Sequence, residues 1–80
     1  MNADHQKFIQ ALESRSYEAL SIKRHRSSCW LIIRLQGEDH CFVNQFGKTP
    51  GYHHAWQIRS WLQDHFGIAG DSVPVEVYRS

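Results

Sequence analysis

The hydrophobic pattern near the start of the chain has the period of a helix. Apolar side chains recur three and four residues apart from Asp4 to about Ser14, and polar side chains occupy most positions between them. The apolar face consists of His5, Phe8, Ile9 and Leu12. Asn2 or Asp4 can accept hydrogen bonds from the first free backbone N–H groups. The pattern therefore predicts an amphipathic helix.

The middle of the chain changes to the alternating period of β-strands. From Tyr17 to His25 the larger apolar side chains alternate with small or polar ones, which indicates a strand, although this segment could instead extend the first helix. Ser28 to Gln36 combines β-branched and aromatic residues between turn residues, which favours a second strand. His40 to Phe46 follows as its partner. Two-residue turns at Arg26-Ser27 and Gly37-Glu38 would connect three antiparallel strands.

A second helix and a final strand follow. Thr49-Pro50 resembles a helix start, but Gly51 weakens it, and a start near Tyr52 is the alternative. The apolar stripe of this helix consists of Ala55, Ile58, Leu62 and Phe66, with Trp61 at its edge. Gly67 suits the position just beyond the helix. The segment from Val73 to Tyr78 alternates again, with Pro74 near its start, as expected of an edge strand.

These elements predict an α+β fold, a single small domain over residues 1–80 with the order α-β-β-β-α-β. We expect an antiparallel sheet with both helices mainly on one face. The predicted core face of the sheet carries Leu20, Ile22, Cys29, Leu31, Ile33, Leu35, Phe42 and Phe46. The opposite face carries Tyr17, Lys23, His25, Trp30, Ile32, Arg34, Cys41, Val43 and Gln45.

Composition limits the classes of protein to be considered. With 41% hydrophobic and 21% charged residues, the chain lies in the globular range rather than the disordered one. No apolar run reaches the length of a membrane span, and no signal-like segment begins the sequence. The two cysteines do not form a disulfide framework, and the predicted register places Cys41 opposite Arg34 rather than Cys29. A cytoplasmic protein with reduced thiols is expected.

Catalytic and metal signatures are weak. Gly47-Lys48-Thr49 resembles part of a phosphate loop, but Phe42 stands where that motif requires glycine. Six histidines invite a zinc site, yet neither a CxxC nor an HxxxH pair is present. Cys41 and His40 are neighbours on a predicted strand, so their side chains would point to opposite faces. We therefore predict no enzyme activity and no catalytic, cofactor-binding or metal residue.

The leading functional hypothesis is a small protein-binding module of the regulator, adaptor or inhibitor type. An uncovered sheet face with Trp and Ile would be an exposed apolar patch of the kind that marks interaction sites. That face offers Trp30, Ile32 and Arg34, unless the first helix covers it. A second patch on the second helix offers Tyr52, Trp56 and Arg59. Another protein is the expected partner, and a homodimer is possible.

The alternative is a nucleic-acid-binding module. The run of Lys23, Arg24, His25 and Arg26 at the first turn could contact phosphates, while Trp30 or Tyr17 stacks on a base. Against this interpretation, the net charge is only +1 and the isoelectric point is about 7.9. Dedicated nucleic-acid binders are more basic.

Overall fold

A computed structural model describes residues 3–77, and it confirms the predicted α+β class and element order. The elements are helix α1 (Ala3–Ser14), strands β1 (Ala19–His25), β2 (Ser28–Leu35) and β3 (Glu38–Cys41), helix α2 (Ala55–Phe66) and strand β4 (Val75–Val77), with a 3-10 turn at Gly70–Ser72 before β4. The strand order in the sheet is β3-β2-β1-β4. Two residues used in the predictions, Asn2 as a helix cap and Tyr78 as a strand end, lie outside the described residues.

The segment after α1 is a strand and does not extend the helix. Arg15 adopts a left-handed conformation with φ of 58°, which ends the helix before the alternating segment begins. Strands β1 and β2 form an antiparallel hairpin in which His25 pairs with Ser28. The turn therefore contains Arg26 and Ser27, as predicted.

The second turn lies one residue earlier than predicted. Leu35 pairs with Glu38, so the turn residues are Gln36 and Gly37, with φ values of 53° and 80°. Positive φ at both positions is the pattern of a tight hairpin turn that favours glycine in second place. As a consequence Cys41 pairs with Ile32 and not with Arg34. Because the register shifts by two residues, the side chains within the β2–β3 ladder stay on their predicted faces.

Strand β4 departs from the otherwise antiparallel arrangement, because it pairs in parallel with β1. The α2 crossover causes this direction, since it returns the chain to the end of the sheet where β1 starts. Ile22 donates its backbone N–H to the carbonyl of Pro74 over 2.8 Å, which begins the pairing. Pro74 has no N–H to extend the ladder backwards, so β4 is a short edge strand.

Both helices pack on the same face of the sheet, where the core lies. The fully buried side chains come from both helices, from β1 and β2, and from the loop before β4: Leu12, Ile22, Cys29, Ile33, Ile58, Leu62 and Val73. Phe42 belongs to this core as predicted, but Phe46 is 73% exposed and does not. Its placement was wrong because β3 ends at Cys41 and the chain then leaves the sheet.

Two residues expected on the opposite face also pack against the core. Tyr17 and Val43 are half-buried against it, since each lies outside the strands and is not bound by strand alternation. Among residues 3–77, no helix is long and apolar enough to cross a membrane.

Helix α2 begins later than the sequence suggests. Its N-cap is His54, whose backbone N–H donates to the side-chain oxygen of Gln57 over 3.1 Å. The intervening residues after Pro50 instead bring Tyr52 beside Cys29, where the two residues exchange backbone hydrogen bonds of 2.7 and 2.9 Å. The helix ends as predicted at Gly67, which has φ of 69°.

Candidate binding surfaces

The sheet face away from the helices carries the first predicted patch. Trp30 is half-buried and Arg34 is exposed, but Ile32 between them is only 6% exposed. Ile32 is outside the core cluster that contains α1, so α1 does not cover it. It lies between Ser21 and Cys41 on the neighbouring strands and is flanked along β2 by Trp30 and Arg34. These neighbours shield it, and a partner would meet Trp30 and Arg34 first.

Two ion pairs neutralise the cations of this face. The Arg34 guanidinium binds both carboxylate oxygens of Asp39, with distances of 2.8 Å from Nε and 3.3 Å from Nη2. This hydrogen bonding lowers the pKa of Asp39 below its ordinary value and raises that of Arg34. Lys23 forms an ion pair with Glu76 on β4. The face therefore offers little free positive charge.

A shallow depression lies between the two ion pairs. It encloses about 390 Å³, and its floor is formed by the small side chains of Ala19 and Ser21. Pro74 and Leu20 close it on the β4 side. The register leaves the backbone N–H and C=O of Leu20 directed to this edge, because β4 pairs with β1 only from Ile22 onward.

The second predicted patch, on α2, does not form a single surface. Tyr52 is half-buried against the core and is held by its hydrogen bonds to Cys29. Arg59 is also half-buried and donates from Nη2 to the carbonyl of Val73 over 2.9 Å. Both residues therefore stabilise the fold. Trp56 alone among the three is freely presented, with 63% of its surface exposed.

The Trp56 ring has a defined orientation despite its exposure. It stacks on the His54 ring with centroids 6.1 Å apart and an interplanar angle of 13°. The two residues lie at the N-terminus of α2, so their backbone is fixed by the start of the helix. The stack presents a flat aromatic surface to solvent.

Phe46 is a candidate binding residue that the sequence analysis placed in the core. It lies in a short loop in which the Asn44 side-chain oxygen accepts from the N–H groups of Phe46 and Lys48, over 2.9 and 3.1 Å. The backbone of Asn44 also donates to the carbonyl of Lys48 over 2.8 Å. An ordered loop thus holds an exposed phenyl ring at its tip. The sequence signal for this loop was Asn44 followed by Gly47, because both residue types are common in turns. An Asn side chain often accepts a hydrogen bond from the backbone N–H two residues later, as it does here from Phe46.

The segments that carry Phe46 and Trp56 meet the sheet near the end where the first hairpin turn lies. The loop after β3 leaves β2 where Phe42 bonds to Leu31 and returns where Tyr52 bonds to Cys29. On the other side of β2, Cys29 is paired with Arg24. Since neighbouring strands are about 4.8 Å apart, these segments are adjacent. We call this region the hairpin-end surface and define it by its exposed members: Arg24, Arg26, Phe46, His54 and Trp56.

The charge of this surface is one-sided. The sequence contains no Asp or Glu from Ala19 to Gly37 or from His40 to Gln63, and these segments build the hairpin end. Within residues 3–77, neither Arg24 nor Arg26 has an ion-pair partner. Exposed cations and exposed aromatic rings therefore occur on segments at the same end of the sheet, and these segments contain no carboxylate to neutralise the cations.

The basic run predicted for nucleic acid does not point in one direction. Strand alternation places Lys23 and His25 on the open sheet face and Arg24 on the other, while Arg26 lies in the turn with φ of 59°. Lys23 is engaged by Glu76. The proposed stacking residues are equally divided, because Trp30 lies on the open face and Tyr17 packs against the core.

The remaining reactive groups do not assemble into a site. Cys29 is buried and Cys41 is exposed, and both thiols are free. Over the described part of the chain, no three His, Cys, Asp or Glu side chains come close enough to hold a metal ion. Comparison of the chain with protein-family models, curated proteins and solved structures finds no match.

Proposed function

We propose that this chain is a non-catalytic protein-binding module whose contact region is the hairpin-end surface. The observation that carries the proposal is the exposure of two aromatic rings, Phe46 at 73% and Trp56 at 63%, in positions fixed by local structure. Large aromatic residues and Arg contribute most of the energy in protein interfaces. Holding them in place before binding reduces the entropy lost on association.

The charge of the surface indicates the chemistry of the partner. Arg24 and Arg26 are exposed and unpaired within the described residues, and the surrounding segments lack carboxylates. A partner segment that combines apolar side chains with Asp or Glu would complement this arrangement. Complementary charge would mainly increase the association rate and the selectivity for such a partner.

The open sheet face supports the proposal less well. Its apolar residue Ile32 is 6% exposed, and its cations Arg34 and Lys23 are already paired with carboxylates. A partner at this face would have to displace those ion pairs or bind them as they stand. Trp30 and Arg34 therefore remain a secondary contact region.

One observation favours single-stranded nucleic acid as a second candidate ligand. The rings of His54 and Trp56 stack on each other, and proteins bind single strands by stacking bases on aromatic rings within a positively charged groove. A protein is favoured because the cations are few and the net charge is only +1.

The test is capture from nuclease-treated lysate of the source cells, with chemical crosslinking to map the contacts. We expect a partner that crosslinks to the hairpin end and is lost with Phe46→Ser or Trp56→Ala. Asn44→Ala should weaken capture while the phenyl ring is retained, because the loop is no longer held. Gln10→Ala, an exposed change on α1, is the matched control and should bind normally.

Other outcomes separate the two candidates. Material captured only before nuclease treatment, with binding that falls steeply as salt rises, would support nucleic acid instead. A partner that binds Phe46→Ser and Trp56→Ala as well as it binds the unmodified protein would contradict the proposed surface. Circular dichroism of each variant confirms that the fold is retained.

A further inference from the structure

The two edges of the sheet differ in how they are protected. The β3 edge carries Glu38 and Asp39, and charged residues at an edge discourage pairing with another strand. The β4 edge carries one charged residue, Glu76, between Val75 and Val77, which are 36% and 66% exposed. An exposed apolar edge strand is a template for strand pairing.

The backbone of β4 is available for such pairing. Ile22 donates to the carbonyl of Pro74 and pairs with Val75, so the groups of Pro74 and Glu76 face β1. Along a strand, the backbone N–H and C=O groups of successive residues point to opposite sides in the plane of the sheet. The N–H and C=O groups of Val75 and Val77 therefore point away from β1. These four groups have no neighbouring strand in the described part of the chain.

We propose that β4 pairs antiparallel with β4 of a second copy, which joins the two sheets into one continuous sheet. The sequence Val75-Glu76-Val77 is symmetric about its centre. A two-fold axis beside Glu76 sets Val75 of each copy opposite Val77 of the other. All four outward backbone groups of each strand then form hydrogen bonds, as an isologous interface requires.

Charge and geometry favour this register. Glu76 meets its own copy across the axis, but the Lys23 ion pair neutralises each carboxylate on the sheet face. A register centred on Val75 would require Val73, whose N–H already donates to Gly70 and whose carbonyl already accepts from Arg59. Self-pairing of β3 would instead bring two carboxylates from each copy together, those of Glu38 and Asp39.

The dimer should be weak. Pairing of two three-residue strands buries less area than the roughly 1,200 Å² of a stable interface. We expect a dissociation constant above about 1 μM, so association is visible only in concentrated solution. The dimer surface shares no residue with the hairpin-end surface, and each can therefore fail without the other.

The test is sedimentation velocity over a wide range of protein concentrations. The unmodified chain should shift from monomer to dimer as concentration rises. Val77→Pro should raise the dissociation constant by about tenfold or more, because it removes an outward N–H in each copy. It breaks no β1–β4 bond, since the N–H of Val77 faces away from β1. Phe46→Ser is the matched control, removes an equally exposed apolar side chain, and should dimerise normally.

Hydrogen exchange supplies the second readout. In concentrated solution the amides of Val75 and Val77 should exchange slowly, and dilution should restore fast exchange. If Val77→Pro does not fold, Val77→Lys tests the edge with the backbone unchanged. A chain that stays monomeric at millimolar concentration, or a dimer that Val77→Pro and Val77→Lys leave intact, would overturn the proposal.

Discussion

Single side chains show how similar residue types acquire different roles in this molecule. Arg24 and Arg26 are exposed without ion-pair partners in the described residues, whereas Arg34 is bound by Asp39 and Arg59 by a backbone carbonyl. The sequence could not separate them, because a cation's partner depends on which strands become neighbours. Only the pairing of Arg34 with Asp39 across the β2–β3 hairpin brings these two charges together.

The Arg34–Asp39 pair predicts a pH effect with a definite sign. The folded-state pKa of Asp39 is depressed, so the pair contributes stability above the ordinary Asp pKa of about 3.9 and loses it as pH falls through the lower, folded value. Arg34→Gln should return the pKa of Asp39 upward. An NMR titration of the Asp39 carboxyl carbon measures it, with Lys7→Gln as the control. An unchanged midpoint in Arg34→Gln would show that the hydrogen bond is not the cause.

At the scale of elements, the crossover from α2 to β4 depends on one tight contact. Gly70 lies against Arg59, and a Cβ at Gly70 would come within 2.9 Å of the Arg59 Cβ. The Arg59 guanidinium then bonds to the carbonyl of Val73, just before β4. Helix α2 therefore contacts the segment before β4 through Arg59, by packing against Gly70 and by the hydrogen bond to Val73. This is the structural reason that Arg59 is unavailable to a partner.

Gly70→Ala should lower the free energy of unfolding by about 1–3 kcal/mol, because the added methyl group forces α2 and the loop apart. Gly51→Ala is the matched control, since nothing lies within 4 Å of a Cβ at that position. There the loss of unfolded-state freedom should leave stability unchanged or raise it by less than about 1 kcal/mol. Urea unfolding of the three proteins measures the difference. Equal midpoints for the two variants would contradict the close contact.

At the scale of the whole molecule, one core supports every surface described above. It lies between a single sheet face and two helices, and its buried residues form one cluster within residues 3–77. The hairpin-end surface lies on segments joined to this core, and β4 is held by its pairing with β1, which contributes Leu20 and Ile22 to the core. Their geometry therefore depends on its integrity.

Leu62→Ala should remove a large share of the total stability. Leu62 is 0% exposed in the centre of α2, and truncation of such a residue costs about 2–5 kcal/mol. A domain of this size has only about 4–12 kcal/mol in total. Thermal unfolding followed by circular dichroism measures the change. The control is Gln63→Ala at the exposed neighbouring position, which should unfold near the temperature of the unmodified protein. A similar loss of stability in both variants would contradict the assignment of Leu62 to the core.

The sequence by itself determined the elements, their order and the face that each strand buries. Periods of two and 3.6 residues are local properties, so Leu20, Ile22, Leu31 and Ile33 could be assigned to the core without knowledge of the fold. The left-handed position at Gly67 is equally local. Even the error in the second turn preserved the faces, because the register shifted by an even number of residues.

Only the tertiary structure decided which elements are neighbours and which side chains stay exposed. Contacts between segments distant in sequence determine the parallel pairing of β4, the burial of Ile32 and the hydrogen bond of Arg59 to Val73. The exposure of Phe46 depends on where β3 ends and the Asn44 loop begins. Hydrophobic period specifies that a side chain is apolar and which way it points along an element. It does not specify what lies opposite, and that is what determines a binding surface.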